Sequence, residues 1–125
     1  MPAVSSVPIV HLRMPRGNDW DFDFSVVDDN DPPLAVDITG WTLVFTCKLK
    51  EEDTDVLFSR SSANAGEFDI DVGSGGTATL AVVRANTKDL EARAYFYDVE
   101  AQTPVKFKTL VKGTFTVEKV TTEPT

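Results

Sequence analysis

The chain has 125 residues, 42% of them hydrophobic and 26% charged, which is the size and composition of one globular domain. Its formal net charge of −8 at pH 7 argues against binding to nucleic acid or to an anionic membrane surface, because both depend on clustered Lys and Arg. A single cysteine, Cys47, excludes an intramolecular disulfide bond.

Residues 1–16 differ in kind from the rest, since three prolines interrupt them and they hold only one strand's worth of apolar residues. They lack the basic start and continuous apolar run of a signal peptide, and no window of the chain is apolar enough to span a bilayer. We therefore expect folding in a reducing cytoplasm. We also expect an extended arm over residues 1–16 that pairs with a sheet edge or reaches a neighbour, a folded domain over 17–121, and a tail over 122–125.

Six segments between residues 20 and 120 alternate apolar and polar residues with a period of two, the pattern of a half-buried β-strand. A shorter stretch, "VLFS" from Val56 to Ser59, is a candidate seventh strand. The residues predicted to face the core are Phe22, Phe24 and Val26; Leu43, Phe45, Cys47 and Leu49; Phe68, Ile70 and Val72; Ala78, Leu80 and Val82; Tyr95, Tyr97 and Val99; and Phe115 and Val117.

The breaks between these segments carry turn chemistry. "DDNDPP" (Asp28 to Pro33) cannot continue a strand, because prolines remove ladder donors and fix φ. "GSGG" (Gly73 to Gly76) and "QTP" (Gln102 to Pro104) have the length of hairpin connections. The one helical signal is "NTKDLE", where Asn86 or Thr87 could cap a single turn.

Strands at roughly ten-residue spacing with almost no helix predict an all-β, immunoglobulin-like antiparallel β-sandwich of about seven strands with one short helical turn. A small barrel is the alternative architecture. Parallel α/β folds are excluded, because no crossover helices are available.

Charge is placed unevenly along the chain. From Gly17 to Cys47 there are seven aspartates and no Lys or Arg, whereas the segment from Pro104 to Lys119 holds four lysines against Glu118 alone. The simplest interpretation is two solvated faces. The more specific alternative is a pair of surfaces of opposite charge that fix how one copy of the chain, or one partner, is oriented against another.

Candidate catalytic groups are few. Asp69 and Asp71 share one strand face about 7 Å apart, a spacing that a glycosidase pair could use, but the face is polar and carries no aromatic platform. The only histidine, His11, could pair with Cys47 for thiol chemistry. Cys47, however, lies in the apolar register of its strand, where a free cysteine behaves as a small hydrophobe. We therefore expect no enzyme activity, no cofactor and no small-molecule ligand.

Two further features leave alternatives open. The oxygen-rich turn Asp28–Asp31 resembles a cation loop, but it lacks the spacing, central Gly and terminal Glu of an EF-hand, and a plain turn is favoured over a metal site. Trp20 and Trp41 fit either core positions or contact anchors, because aromatic residues dominate interface hot spots.

An ordered set of motifs resembles a known family. "GNDWDFDFSVVDDNDPPLAVDITGWTLVFTCKLK" (17–50) is similar to the opening of small tailed-phage virion proteins, with an acidic turn followed by a "D-[LI]-T-G-[WY]" motif and a strand of alternating apolar and basic residues. The second half resembles "T-x-x-L-x-x-G-x-Y-x-Y-D-[LIV]" and "L-x-x-G-x-x-x-V". The matching residues are Thr87, Leu90, Tyr95, Tyr97, Asp98, Val99, Leu110, Gly113 and Val117.

The resemblance spans roughly residues 17–121 and is to the N-terminal immunoglobulin-like domain of phage baseplate upper proteins and to stand-alone proteins encoded among phage tail and fibre genes. One departure is Arg93, which stands where the family pattern has glycine; a left-handed backbone there would cost about 1 kcal/mol. The arm of residues 1–16 is a second departure that the resemblance leaves unexplained.

The resemblance implies a non-enzymatic structural component of a virion, made in the bacterial host cytoplasm, that docks tail, baseplate, neck or fibre parts together. Its implied partners are other virion proteins and copies of itself. Two alternatives are a capsid decoration protein of the same fold and a host-glycan-binding module, which would need exposed aromatic residues on one face.

The stretch "EARAYFYDVEAQ" (91–102) is predicted to form a strand with one face in the core and one face available for contacts. Alternation turns Tyr95 and Tyr97 inward and leaves Phe96 facing outward, unexplained by the core. Leu90 and Tyr95 resemble a tyrosine corner, in which the hydroxyl bonds to backbone a few residues upstream. The predicted contact residues for another subunit are Val7, Ile9, His11, Arg13, Trp20, Trp41 and Phe96.

Overall fold

Alternating apolar side chains give each strand one face in a shared core, and the strands assemble into two packed sheets. The computed structural model describes residues 8–28 and 30–121. In chain order the elements are β1 (Leu12–Pro15), β2 (Trp20–Ser25), β3 (Thr42–Lys48), β4 (Phe58–Ser61), β5 (Phe68–Val72), β6 (Thr77–Val82), α1 (Arg84–Thr87), β7 (Ala94–Gln102) and β8 (Phe107–Glu118).

The larger sheet has the strand order β1-β8-β7-β3-β4 and the smaller sheet the order β2-β6-β5. This is an immunoglobulin-like arrangement, in which β3, β7 and β8 correspond to strands C, F and G, and β2, β5 and β6 correspond to strands B, D and E. The first strand, β1, pairs with β8 instead of joining the smaller sheet, and β4 is an additional strand beside β3. The predicted all-β sandwich is therefore confirmed, with eight strands in the described residues. All strand pairs are antiparallel except β1 with β8.

Aromatic side chains bridge the two sheets at the centre of the core. Phe45 stacks on Tyr97 with ring centroids 5.2 Å apart and meets Phe115 edge-on at 5.8 Å, while Phe22 of the smaller sheet meets Phe115 at 6.0 Å. Such pairs contribute about 0.5–1.5 kcal/mol each beyond their buried area. The largest fully buried side chains are Phe45, Phe68, Phe115, Met14, Ile38, Leu43, Leu80, Val82, Val99, Val117, Thr87 and Cys47.

The predicted inward sets are buried or half-buried in the structure, with one exception. Val72 is 54% exposed, because the register between β5 and β6 shifts between Ile70 and Val72 and turns the end of β5 away from the core. The predicted barrel alternative is wrong, since the structure forms two separate sheets.

The helical turn begins earlier than predicted, since its N-cap is Val83, three residues before Asn86 and four before Thr87. Asn86 lies inside α1, where its side-chain oxygen accepts the backbone N–H of Val83 at 2.9 Å. Thr87 is fully buried, and its hydroxyl oxygen accepts the backbone N–H of Gly17 at 2.8 Å. This hydrogen bond holds the chain at Gly17, where it passes from β1 in the larger sheet to β2 in the smaller sheet.

The described part of the predicted arm belongs to the sandwich. Leu12 pairs with Phe115 along the edge of β8, and Met14 is fully buried. The described part of the arm therefore pairs with a sheet edge, which was one of the two expected possibilities. Residues 1–7 and 122–125 lie outside the described residues.

The hydrogen bond expected of a tyrosine corner is present. The hydroxyl of Tyr95 donates to the carbonyl oxygen of Glu91 at 2.8 Å, and burial raises the pKa of this tyrosine. Leu90 packs against the core beside it. Arg93 does not adopt the left-handed backbone, since no described residue other than glycine has a positive φ. The strain that a left-handed backbone would cause at Arg93 is therefore absent.

Candidate functional site

A shallow groove of about 180 Å³ crosses the outer face of the larger sheet. We call it the outer groove; it is lined by Ile9, His11, Glu51, Phe96, Lys112 and Thr114. Phe96 lies between the inward-facing Tyr95 and Tyr97 of β7, so alternation points its ring outward, as predicted. Its neighbours across the sheet are Thr114 on β8 and Lys48 on β3.

One wall of the outer groove is built by the N-terminal segment. The backbone N–H of Val10 donates to the carbonyl of Lys112 at 2.9 Å, and the N–H of Lys112 donates to the carbonyl of Pro8 at 3.1 Å. The hydroxyl of Tyr97 donates to the carbonyl of Val10 at 2.7 Å. Burial raises the pKa of Tyr97 to about 12, so the hydroxyl keeps the proton that it donates.

Gly113 makes this close approach possible. A Cβ added at this glycine would meet the backbone carbonyl of Val10, which leaves no room for any other residue type. The glycine of the "L-x-x-G" motif is thus explained by the passage of the N-terminal segment over β8.

The polar groups of the outer groove are paired with one another. His11 Nδ1 accepts the backbone N–H of Thr114 at 3.2 Å and lies 2.8 Å from its hydroxyl, and Lys112 Nζ lies 4.0 Å from Glu51 Oε1. Next to them, burial raises the pKa of Asp98, and the positive charge of Lys48 counteracts this shift. Most of the polar side chains that line the outer groove therefore already have a partner within the same chain.

A second apolar surface lies at one end of the sandwich. We call it the loop end and define it as the β2–β3 connection (26–41), the β5–β6 turn with its preceding residue (72–76) and the β7–β8 hairpin with its flank (103–108). The strand register brings these segments together, since Thr42 pairs with Gln102 and Ser25 with Thr77.

Half of the ten large apolar side chains that are exposed in the described residues lie at the loop end. Isolated exposed apolar residues are ordinary, but a concentration of them marks an interaction site. The five are Val27 (51% exposed), Leu34 (58%), Val72 (54%), Val105 (86%) and Phe107 (72%).

The loop end also carries charges of both signs. Lys106 and Lys108 alternate with the exposed Val105 and Phe107, and neither lysine forms an ion pair with any described residue. Two hydrogen bonds close the hairpin that presents them: the Thr103 N–H donates to the Lys106 carbonyl at 2.9 Å, and the Thr103 hydroxyl oxygen accepts the Lys106 N–H at 3.1 Å.

Acidic residues of the β2–β3 connection lie at the same end. Asp28 is held by its own loop, where it accepts the backbone N–H groups of Asn30 and Leu34 at 3.0 and 2.9 Å. Hydrogen bonds from Thr39 lower the pKa of Asp37, so this side chain is ionised at neutral pH. Asp31 is exposed.

The structure brings together only some of the predicted contact residues. Ile9, His11 and Phe96 meet in the outer groove. Arg13 lies on the same face of the sheet farther along β1, 3.8 Å from Glu118. Trp20 is on β2 of the other sheet, Trp41 packs against the core, and Val7 lies outside the described residues. The aromatic residues that a glycan platform would need are thus on three separate parts of the molecule.

The sequence analysis places Lys106 and Lys108 in a basic segment that could complement an acidic one, but it does not identify Val105 and Phe107 as contact residues. The sequence signal was the alternation "VKFK" directly after the "QTP" break, which places two apolar residues at the tip of a hairpin, where polar residues are the norm.

The predicted chemical groups hold structural positions. Cys47 is fully buried, and burial raises its thiol pKa to about 12. It faces the core from β3, whereas His11 faces outward beside β1, with strands β7 and β8 between them. Asp71 accepts the Thr79 hydroxyl proton at 2.6 Å, and Asp69 accepts the Gly66 N–H at 3.2 Å.

Within residues 8–28 and 30–121, no group of three or more His, Cys, Asp or Glu side chains is arranged to hold a metal ion. None of the helices in that part of the chain has the length and apolar character required to cross a membrane. The sequence matches no family model, and a search of curated proteins finds no relative.

Proposed function

We propose that this protein is a non-enzymatic structural component of a bacteriophage virion, which docks parts of the tail, baseplate, neck or fibres to one another. Its partners in this proposal are other virion proteins and copies of itself, and it is made in the cytoplasm of the bacterial host. The ordered motifs shared with small tailed-phage proteins suggest this assignment.

The motif residues have framework roles in the structure, which supports treating them as one set. Leu90 and Tyr95 form the corner where the chain enters β7. Gly113 admits the N-terminal segment, and Gly40 precedes Trp41 with φ of +79°, a backbone that favours glycine. These roles concern a rigid scaffold, and none of them places a reactive group at the surface.

The observation that carries the docking function is the loop end. Five exposed apolar side chains lie there on turns, among aspartates and among two lysines that form no ion pair with a described residue, and together they form a surface suited to another protein. The outer groove is less suited, because its polar groups already bind one another.

The experiment is an inventory of purified particles. Phage encoding this chain would be purified on a density gradient, dissociated into heads and tails, and analysed by quantitative mass spectrometry. We expect the chain in the tail fraction at a fixed stoichiometry.

Two outcomes would contradict the proposal. Recovery only in the soluble lysate, with none in particles, would exclude a virion component. Recovery in the head fraction would replace the docking role with that of a capsid decoration protein.

A further inference from the structure

Two of the three segments of the loop end differ in charge, and we call them its basic half and its acidic half. The β7–β8 hairpin is basic and apolar, with Val105, Lys106, Phe107 and Lys108 exposed at its tip and flank. The β2–β3 connection is acidic and apolar.

The acidic half contains the exposed Val27 and Leu34, on two chain segments that pair with each other: Val27 bridges to Ala35, and the N–H of Asp28 donates to the carbonyl of Leu34 at 2.9 Å. Asp28 and Asp31 belong to the same loop. Each half of the loop end therefore has the apolar character and the charge that would complement the other half.

The two halves do not satisfy each other within one molecule. Lys106 and Lys108 form no ion pair with a described residue, and the side chains of Val105 and Phe107 are 86% and 72% exposed. The hairpin belongs to the larger sheet, whereas the acidic connection leaves the smaller sheet after β2. Stacked sheets are about 10 Å apart, so the two halves lie near each other at the same end of the sandwich.

We propose that the loop end binds the loop end of a second copy of this chain in a two-fold arrangement, with the β7–β8 hairpin of each copy against the acidic β2–β3 connection of the other. A two-fold axis between the halves makes both contacts at once, as an isologous interface requires. The charge pairs fix the orientation, and the apolar side chains supply the buried centre.

The proposal deepens the proposed function by naming the partner of the same surface. The dimer's place in a particle rests on that function, whereas its existence is measured on the purified protein alone. A protein that dimerises but is missing from particles would refute the virion assignment only, and a monomeric protein found in particles would refute the dimer only.

The first experiment measures the mass of the purified chain by sedimentation velocity at concentrations up to about 1 mM, because small interfaces of this kind are weak. We expect the weight-average mass to rise from 13.7 kDa towards twice that value. The variant Val105→Ser/Phe107→Ser should weaken association about tenfold or more. The matched control Val56→Ser/Leu57→Ser removes two exposed apolar side chains from the β3–β4 connection and should leave association unchanged.

A second experiment tests the geometry by disulfide cross-linking. Cys47 is fully buried and should not form disulfide bonds, so any cross-link can be attributed to the single introduced cysteines. A mixture of Lys106→Cys with Asp31→Cys should cross-link under mild oxidation. The control mixture of Lys106→Cys with Glu52→Cys should not, because Glu52 follows β3 at the opposite end of the sandwich.

Three results would overturn the proposal. One is a chain that remains monomeric at about 1 mM. Another is a dimer that survives Val105→Ser/Phe107→Ser in a variant whose circular dichroism and melting temperature show that it is folded. The third is cross-linking of Lys106→Cys to Glu52→Cys in place of Asp31→Cys, which would show a head-to-tail contact.

Discussion

The outer groove and the loop end both expose apolar side chains, but they differ in how far the chain itself has completed them. In the groove, the N-terminal segment covers β8, His11 binds Thr114, and Lys112 lies beside Glu51. At the loop end, the lysines of the hairpin have no ion-pair partner among the described residues, and Val105 and Phe107 extend into solvent. The comparison shows that a partly exposed aromatic ring such as Phe96 is weak evidence for a binding surface. Charged side chains without an ion-pair partner, next to exposed apolar side chains, are stronger evidence.

The largest expected effect is at Gly113, where the groove depends on close backbone contact. In Gly113→Ala, the new Cβ meets the carbonyl of Val10, and relief of this overlap should destabilise the fold by about 1–3 kcal/mol. Urea denaturation would measure the loss. The amides of Val10 and Lys112 should also exchange faster with solvent, because the segment they join is pushed from β8.

Gly75 supplies the matched control at the loop end. Its φ is not positive, and an added Cβ would meet first a side-chain methyl of Val72 at 3.3 Å, which can move aside. Gly75→Ala should therefore cost much less than Gly113→Ala. Equal losses in the two variants would show that the N-terminal segment is not held as described.

The two buried tyrosines give a paired test. Tyr95→Phe and Tyr97→Phe should each lose about 1 kcal/mol of unfolding free energy, because each removes one part-buried hydrogen bond. Only Tyr97→Phe should accelerate amide exchange at Val10, since its hydroxyl alone reaches the N-terminal segment. An unchanged melting temperature in Tyr95→Phe would contradict the tyrosine corner.

The loop-end variant that should weaken association most should have little effect on the stability of the folded chain. Val105→Ser/Phe107→Ser removes side chains that are already exposed, so its unfolding free energy should stay within about 0.5 kcal/mol of the parent protein. Thermal denaturation in dilute solution checks this. A loss of several kcal/mol would mean that the hairpin is part of the core rather than an open surface.

The smallest effect concerns Asp98 beside the groove. Burial raises the pKa of this carboxyl in the folded protein, so its protonated form is favoured there and stability decreases as pH rises through the folded pKa. Asp98→Asn should therefore be slightly more stable than the parent at neutral pH, within about 0.5 kcal/mol, and lose this advantage in acid. Melting curves between pH 3 and 7 measure it, and a variant that is less stable at neutral pH would contradict the assigned direction.

The sequence predicted those parts of the fold that depend on local alternation. Leu43, Phe45 and Cys47 were assigned to the core because neighbouring side chains on a strand must point to opposite faces. The same rule turned Phe96 outward. It failed at Val72, where a register irregularity breaks the alternation.

Features that depend on distant pairing were not predictable in this way. The bond from Tyr97 to Val10 joins residues 87 positions apart, and the strand β1 exists only because β8 offers an edge to it. The loop end required three separate turns to meet at one end of the sandwich, which follows from the sheet order and not from any one motif.

The most direct test of the difference between the two surfaces is a dilution series followed by ¹H–¹⁵N correlation spectra of the intact chain. Amides of the non-proline residues at the loop end, among them Val27, Leu34, Val72, Val105 and Phe107, should shift progressively with concentration. Those of Ile9, His11, Phe96 and Lys112 in the outer groove should stay in place. Shifts confined to the outer groove, or none at any concentration, would contradict the assignment of the loop end as the interaction surface.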